Sequence, residues 1–303
     1  MRKTNPADIP ASRSLRFFYN TAAGRVILRP LVSRPVSAIA GKFLDTGASR
    51  VFIKRFIKSG GIDMSDYEQR EFSSFNDFFT RRVKDGARPC DGDPMSLVSP
   101  CDGRVSAYTV TNESSFMIKG VRYTLEELLQ DGSLAEKYRG GNILIFRLAV
   151  DNYHRYIWCA NGNAEAPVKI KGKYHTVQPI AMRRYKIFRE NAREYTVLHS
   201  DNFSDIVQME VGAMMVGRIC NENICGAVNK GDEKGRFEFG GSTIIVLIEK
   251  NAADIDNEFF LNTAKGLETH VKCGEKIGLI PRPSRQNGDP RRHARRFLPR
   301  LRA

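Results

Sequence analysis

The sequence predicts an α+β protein, with a β-rich, sandwich- or barrel-like domain behind N-terminal amphipathic helices. Three observations predict it. Before residue 60, apolar residues recur at mixed three- and four-residue spacings with Arg between them. After Pro94, short apolar runs alternate with glycine-containing turns. The 303 residues are 41% hydrophobic and include 18 Phe and 10 Tyr, enough to fill a core.

The helical part comes first. "AAGRVILRPLVSRPVSAIAGKFL" has the helical spacing, and Pro30 and Pro35 interrupt it. "ASRVFIKRFIKSG" places Val51, Phe52, Phe56 and Ile57 near one face, and Gly60 and Gly61 stop it. A basic amphipathic helix of this kind either lies on an anionic membrane or packs on a core with its other face solvated. Residues 1–60 therefore read as a basic helical region and a candidate membrane-docking element.

Residues 61–280 read as the β-rich domain. Its strand candidates are "SLVSP", "GRVSAYTV", "NILIFRLAV", "IVQMEVGAMMVGRI", "GAVNKGD", "STIIVLIEK" and "KIGLI". "TLEELLQDGSLAEKY" (124–138) reads as one helical insert. From Pro281 the chain is Arg and Pro with few apolar residues, so 281–303 reads as a disordered tail.

The net charge of +14 sits at the two ends. Residues 1–60 carry twelve Lys/Arg against Asp8 and Asp45, and 281–303 carry eight Arg against Asp289. A basic end attracts a polyanion, either nucleic acid or an anionic lipid surface. No nucleic-acid-binding motif accompanies the charge, so no nucleic-acid partner is expected. No run of about 18 uncharged apolar residues exists to span a bilayer. The N-terminus lacks the apolar core of a signal peptide. The six scattered cysteines read as reduced thiols, and the spacing of Cys220 and Cys225 suits a metal poorly, so no metal site is expected.

"RFEFGGSTIIVLIEK" (236–250) sets two glycines, a serine and a threonine directly before a very apolar strand. Such a glycine can simply mark a turn or bulge. A Gly–Ser peptide there has a second use. Gly241 lacks a Cβ, so its carbonyl is open to attack by the Ser242 hydroxyl through a five-membered ring. An N→O acyl shift, β-elimination and hydrolysis would then leave a pyruvoyl group. That chemistry needs a base for Ser242 and donors for the oxyanion.

"FGGST" (239–243) resembles the self-cleavage motif of phosphatidylserine decarboxylases. "FNDFFTRRVKDGARP" (75–89) is similar to the family's segment ahead of the catalytic domain. "LVSPCDGRV" (97–105) resembles its SPxDGxV motif, and "DNYHRY" (151–156) resembles its DYHR motif. "MEVGAMMVGRI" (209–219) and "KGDEKGRFEFGGST" (230–243) follow in the same order. The resemblance spans roughly residues 15–280 and is closest to the short, clostridial-type branch.

The resemblance implies the roles. Asp102 would be the acidic member of the self-cleavage triad. Ser242 would be its nucleophile and, once cut, the covalent pyruvoyl cofactor. His154 would serve the decarboxylation step. Gly241 would end a large chain (1–241) and Ser242 begin a small one (242–303), together a heterodimer. Phosphatidylserine in an anionic membrane would become phosphatidylethanolamine and carbon dioxide through a Schiff base, with the enzyme peripheral on the cytoplasmic face of the cell membrane.

One position departs from the pattern. The family runs YHRxH, and its second His is usually the triad base; here that position is Ile157. Either His154 serves both steps, or His175 supplies the imidazole, or the chain is a non-processing lipid-binding homologue. A pyruvoyl decarboxylase acting on another amino-acid head group stays open as well. Arg104 and Arg155 are either phosphate ligands or ordinary surface pairs.

Overall fold

The computed structural model describes residues 1–7, 11–118, 121–182, 185–213, 218–222, 225–239 and 242–281. Gly241 and the 282–303 tail lie outside the described residues.

The helical expectation for 11–60 is met by α1 (Arg13–Asn20), α2 (Ala22–Leu31), α3 (Arg34–Leu44) and α4 (Val51–Gly60). Ser12 caps α1 and Thr21 caps α2, each accepting a backbone N–H with its hydroxyl. Pro30 sits in the last turn of α2, and Pro35 lies in the first turn of α3, where no N–H is needed. Gly61 ends α4 at φ +60, a conformation that favours glycine. The apolar face of α4 differs from the one expected. Ile53, Phe56 and Ile57 pack inward, whereas Val51 (74% exposed) and Phe52 (46%) face solvent. The 100° step of a helix separates the two groups.

The expected insert at 124–138 is two short helices, Leu125–Leu129 and Gly132–Lys137. Gln130 turns left-handed (φ 54) and Asp131 caps the second helix, so the axis breaks between them.

The β-rich class read from the sequence holds. Among the described residues its main element is an open, ten-stranded antiparallel sheet. The central run is Leu267–Val271, Gly103–Thr109, Asn142–Leu148, Ser242–Ile248, Ser204–Val211 and Arg193–Ser200. Thr4–Pro6 extends one edge. Both faces are covered. Along Ser242–Ile248 every residue is buried. Ile244, Val246 and Ile248 enter one core, and Ile245 and Leu247 enter the other. A strand buried on both sides loses the polar alternation of a half-solvated one, which accounts for the run "TIIVLI".

A small sheet of Arg155–Ile157, Glu233–Phe237 and Ile219–Asn221 carries buried Tyr156 and Phe237 into the core that also takes Ile244, Val246 and Ile248. The buried Lys234 of this sheet is tied to the buried Glu210 of the main sheet at 2.6 Å. α4 and α5 (Phe75–Phe79) form a third, aromatic core with Tyr153 and Cys273. Among the described residues no helix is long and apolar enough to cross a membrane.

Candidate active site

The site forms where several strands of the main sheet end together. Gly103 begins one strand opposite Val271, and Arg104 faces Arg147 on the next strand. Leu148 ends that strand and pairs with Ser242, which begins the next. Asp102 and Ser242 therefore stand at the ends of strands two spacings apart, about 10 Å. Gly103 keeps this end closely packed, since a Cβ there would stand 3.2 Å from the Arg147 carbonyl oxygen.

Ser242 is fully buried, and its hydroxyl has no hydrogen-bond partner among the described residues. A buried, unpaired hydroxyl is costly, by about 1–3 kcal/mol, so it signals a function or a strained site.

His154 lies in the loop after Leu148 and is fully buried. Its Nδ1 is 2.9 Å from the Asn152 carbonyl oxygen. A carbonyl only accepts, so Nδ1 carries the proton and Nε2 presents a lone pair. That Nε2 is buried without a hydrogen-bond partner among the described residues. The ring packs 4.1 Å from Phe79. Burial pulls the imidazole down to about 3, so it is neutral at physiological pH.

The segment leading into Ser242 is strapped to the same region. The Phe237 N–H donates to the His154 carbonyl at 2.9 Å. The Phe239 N–H donates to Asn76 Oδ1, and Asn76 in turn donates to Asp45. The Phe239 ring meets Phe56, Phe75 and Phe79 edge-on at 4.9–5.8 Å. The N-terminal helices thus clamp the strap ahead of Gly241.

Asp102 is 6% exposed and takes no histidine partner among the described residues. It accepts from Arg88 Nε at 2.8 Å and Nη2 at 2.8 Å, and from the Cys273 N–H at 2.8 Å. Arg88 also reaches Asp66 at 2.9 Å. Ile157 is held beside this group. Its N–H donates to the Pro100 carbonyl, its own carbonyl accepts from Gln208, and its side chain packs on the aromatic core. Asp102 and Arg104 line a cavity of about 680 Å³ with Arg88, Asn152 and His270.

Asp102 and Ser242 thus stand at one end of the sheet, and His154 lies in the loop that follows Leu148 at that end. His175 lies elsewhere: that ring stacks on Tyr185 at 4.4 Å and touches Tyr19 of α1. Arg155 is an internal tie, bound to Glu233 and to the Thr80 carbonyl. The Arg104 side chain makes no hydrogen bond or ion pair among the described residues and lines the cavity. Sequence reasoning assigned nothing to Arg88, although "GARP" lies within the similar segment, and nothing to Phe239. Tertiary pairing alone brings them in.

Comparison with known proteins decides the family. The family model for phosphatidylserine decarboxylase matches residues 75–279. The chain belongs to the phosphatidylserine decarboxylase family. Phosphatidylserine decarboxylase proenzyme 2 of Clostridium acetobutylicum is 43% identical over 265 residues, covering 87% of this chain and 91% of that one. The proenzyme of Ruminiclostridium cellulolyticum is 42% identical over 286 residues, 91% of this chain and 95% of its own. That of Fusobacterium nucleatum is 40% identical over 271 residues, covering 88% and 90%. These are clostridial-type relatives and one fusobacterial one. In this family member the Ser242 hydroxyl is buried without a hydrogen-bond partner among the described residues.

Proposed function

We propose that the chain is a phosphatidylserine decarboxylase proenzyme that cuts itself between Gly241 and Ser242. The observation that carries the reading is that two buried groups, Ser242 Oγ and His154 Nε2, lack hydrogen-bond partners among the described residues, one on the strand that starts beside Leu148 and the other in the loop that follows Leu148. A free lone pair on a neutral imidazole is suited to taking and returning a proton. The pyruvoyl group, once formed, supplies an electron sink for loss of carbon dioxide. The chain's own residues bury the serine, hold the neutral imidazole by Nδ1 and fix the preceding strap.

The cut would leave the two chains joined. Ser242–Ile248 lies between Ser204–Val211 and Asn142–Leu148, paired to both. The large chain's Thr4–Pro6 also pairs with Leu267–Val271 of the small one. Those ladders and both cores persist after one peptide bond is broken.

Docking to an anionic, cytoplasmic-face leaflet would use the N-terminal helices. Val26, Ile27, Ile39, Phe43, Val51 and Phe52 are exposed there among Lys and Arg. Each basic residue near an anionic surface contributes about 1 kcal/mol.

The test is the intact mass of the purified protein under denaturing conditions. Two chains, the small one starting at residue 242 with a keto group in place of its amine, are expected. A single 34.2 kDa chain that stays uncut with lipid present would move the assignment to a non-processing homologue.

A further inference from the structure

A second cavity, of about 640 Å³, opens between α2 and the segment around residue 175. Arg25, Leu28, Arg29 and Val32 line it from successive turns of α2. Lys173, His175 and Tyr185 line the opposite wall. The Arg25 and Arg29 guanidinium groups make no hydrogen bond or ion pair among the described residues. Lys173 pairs with Glu190 at 3.5 Å, which leaves the wall with more positive than negative charge.

His175 is 3% exposed. Its Nδ1 is 3.4 Å from the Tyr19 hydroxyl. The Tyr19 oxygen accepts from the Thr176 N–H, and its own proton is assigned to Nδ1, the acceptor within reach. With that assignment the imidazole proton sits on Nε2, a buried donor with no hydrogen-bond acceptor among the described residues. Glu190 Oε2 is the nearest carboxylate oxygen, at 3.9 Å, beyond a hydrogen bond. A buried donor beside two unpaired guanidinium groups is built to receive anionic oxygen.

We propose that this cavity binds the phosphate of an anionic membrane phospholipid, at a place distinct from the Asp102 cavity. The position fits a lipid source. Val26 and Ile27, exposed on the same helix, stand beside Arg25 and Arg29. If α2 lies on the bilayer, the mouth of the cavity sits at headgroup level. The proposal rests on the membrane-docking reading above, but its test does not need a membrane.

The test uses full-length Ser242→Ala protein, which forms no pyruvoyl group, with isotope-labelled histidine. Dihexanoyl phosphatidylglycerol below its micelle threshold, and separately inorganic phosphate, are titrated while the His175 ring signals are followed by NMR. The lipid is expected to shift the His175 signals and raise its titration midpoint. Glu190, Lys173, Tyr19, Tyr185, Arg25 and Arg29 are the groups that face the ring. Arg25→Gln/Arg29→Gln should weaken the lipid effect about tenfold or more. His199, exposed between Asp205 and Glu165, reports that the variant is folded. A response to inorganic phosphate with none to the lipid would assign the pocket to soluble phosphate esters and overturn the lipid source. No His175 response to either would overturn the site. Failure of the wild-type chain to bind anionic vesicles, with the His175 response intact, would count against docking and not against the pocket.

Discussion

Arg88 grips Asp102 side-on, with Nε 2.8 Å from one carboxylate oxygen and Nη2 2.8 Å from the other. The acid that the family resemblance assigns to self-cleavage is therefore held by a guanidinium and a backbone N–H, not by an imidazole. Both side chains are under a tenth exposed. Arg88→Met leaves a buried carboxylate short of its cation and should cost about 3–5 kcal/mol. A chemical denaturation curve measures that. Arg88→Lys, which keeps the charge but loses the fork, should recover part of the stability. Equal stability of Arg88→Met and wild type would show that the pair carries none.

Ile157, beside Pro100 and Gln208, occupies the position to which the family resemblance assigns an imidazole. Ile157→His should shorten the lifetime of the uncut precursor by roughly 10²-fold, the lower end of what a positioned proton acceptor supplies. Pulse-chase of freshly synthesised protein reads it. An unchanged lifetime would mean that the existing groups already supply the base.

His154 and His175 are held neutral, burial lowering them to about 3 and about 4. Unfolded, each titrates near pH 6.5. The unfolded chain therefore binds more protons as pH falls below about 6.5. Their contribution is fully present above that pH and is lost progressively as pH falls toward 4 and then 3. The expected slope approaches about 1.4 kcal/mol per pH unit for each histidine. In His175→Phe the slope between pH 6 and 4 should drop by roughly one proton's worth, read from denaturation midpoints across pH. A slope unchanged by the substitution would contradict the buried-neutral assignment.

Phe79 is fully buried between His154 and the Phe239 ring. Phe79→Ala should cost about 3–5 kcal/mol. It should also slow cutting, because the strap from Phe237 to Phe239 loses its wall. Phe79→Leu, with most of the volume kept, should separate the two effects: stability largely restored, with the rate of precursor loss still reduced if ring geometry matters.

Lys54, Arg55 and Lys58 are exposed on α4 beside Val51 and Phe52. Reversing all three charges should abolish sedimentation with anionic vesicles at low salt while leaving secondary structure intact. Binding equal to wild type would remove α4 from the docking surface.

The sequence by itself determined the β-rich class, the family and the candidate residues Asp102, His154 and Ser242. Short apolar runs, turn residues and ordered motifs are local features, written within a few residues of each other. It also marked Ile157 as the odd position. What it could not contain is adjacency between distant segments. Arg88 meets Asp102, and Phe239 meets Phe56 and Phe79, only after strands far apart in sequence pair and the N-terminal helices close over the strap. The division of the α4 face was likewise decided by tertiary packing, since the core accepted Phe56 and left Phe52 outside. So was the fate of the two histidines. Both look alike as letters, but one chain path buries His154 against Phe79 with Nδ1 on the Asn152 carbonyl, and another buries His175 against α1. Burial and hydrogen bonding at each destination, set by the whole fold, fix which nitrogen carries the proton and what it faces.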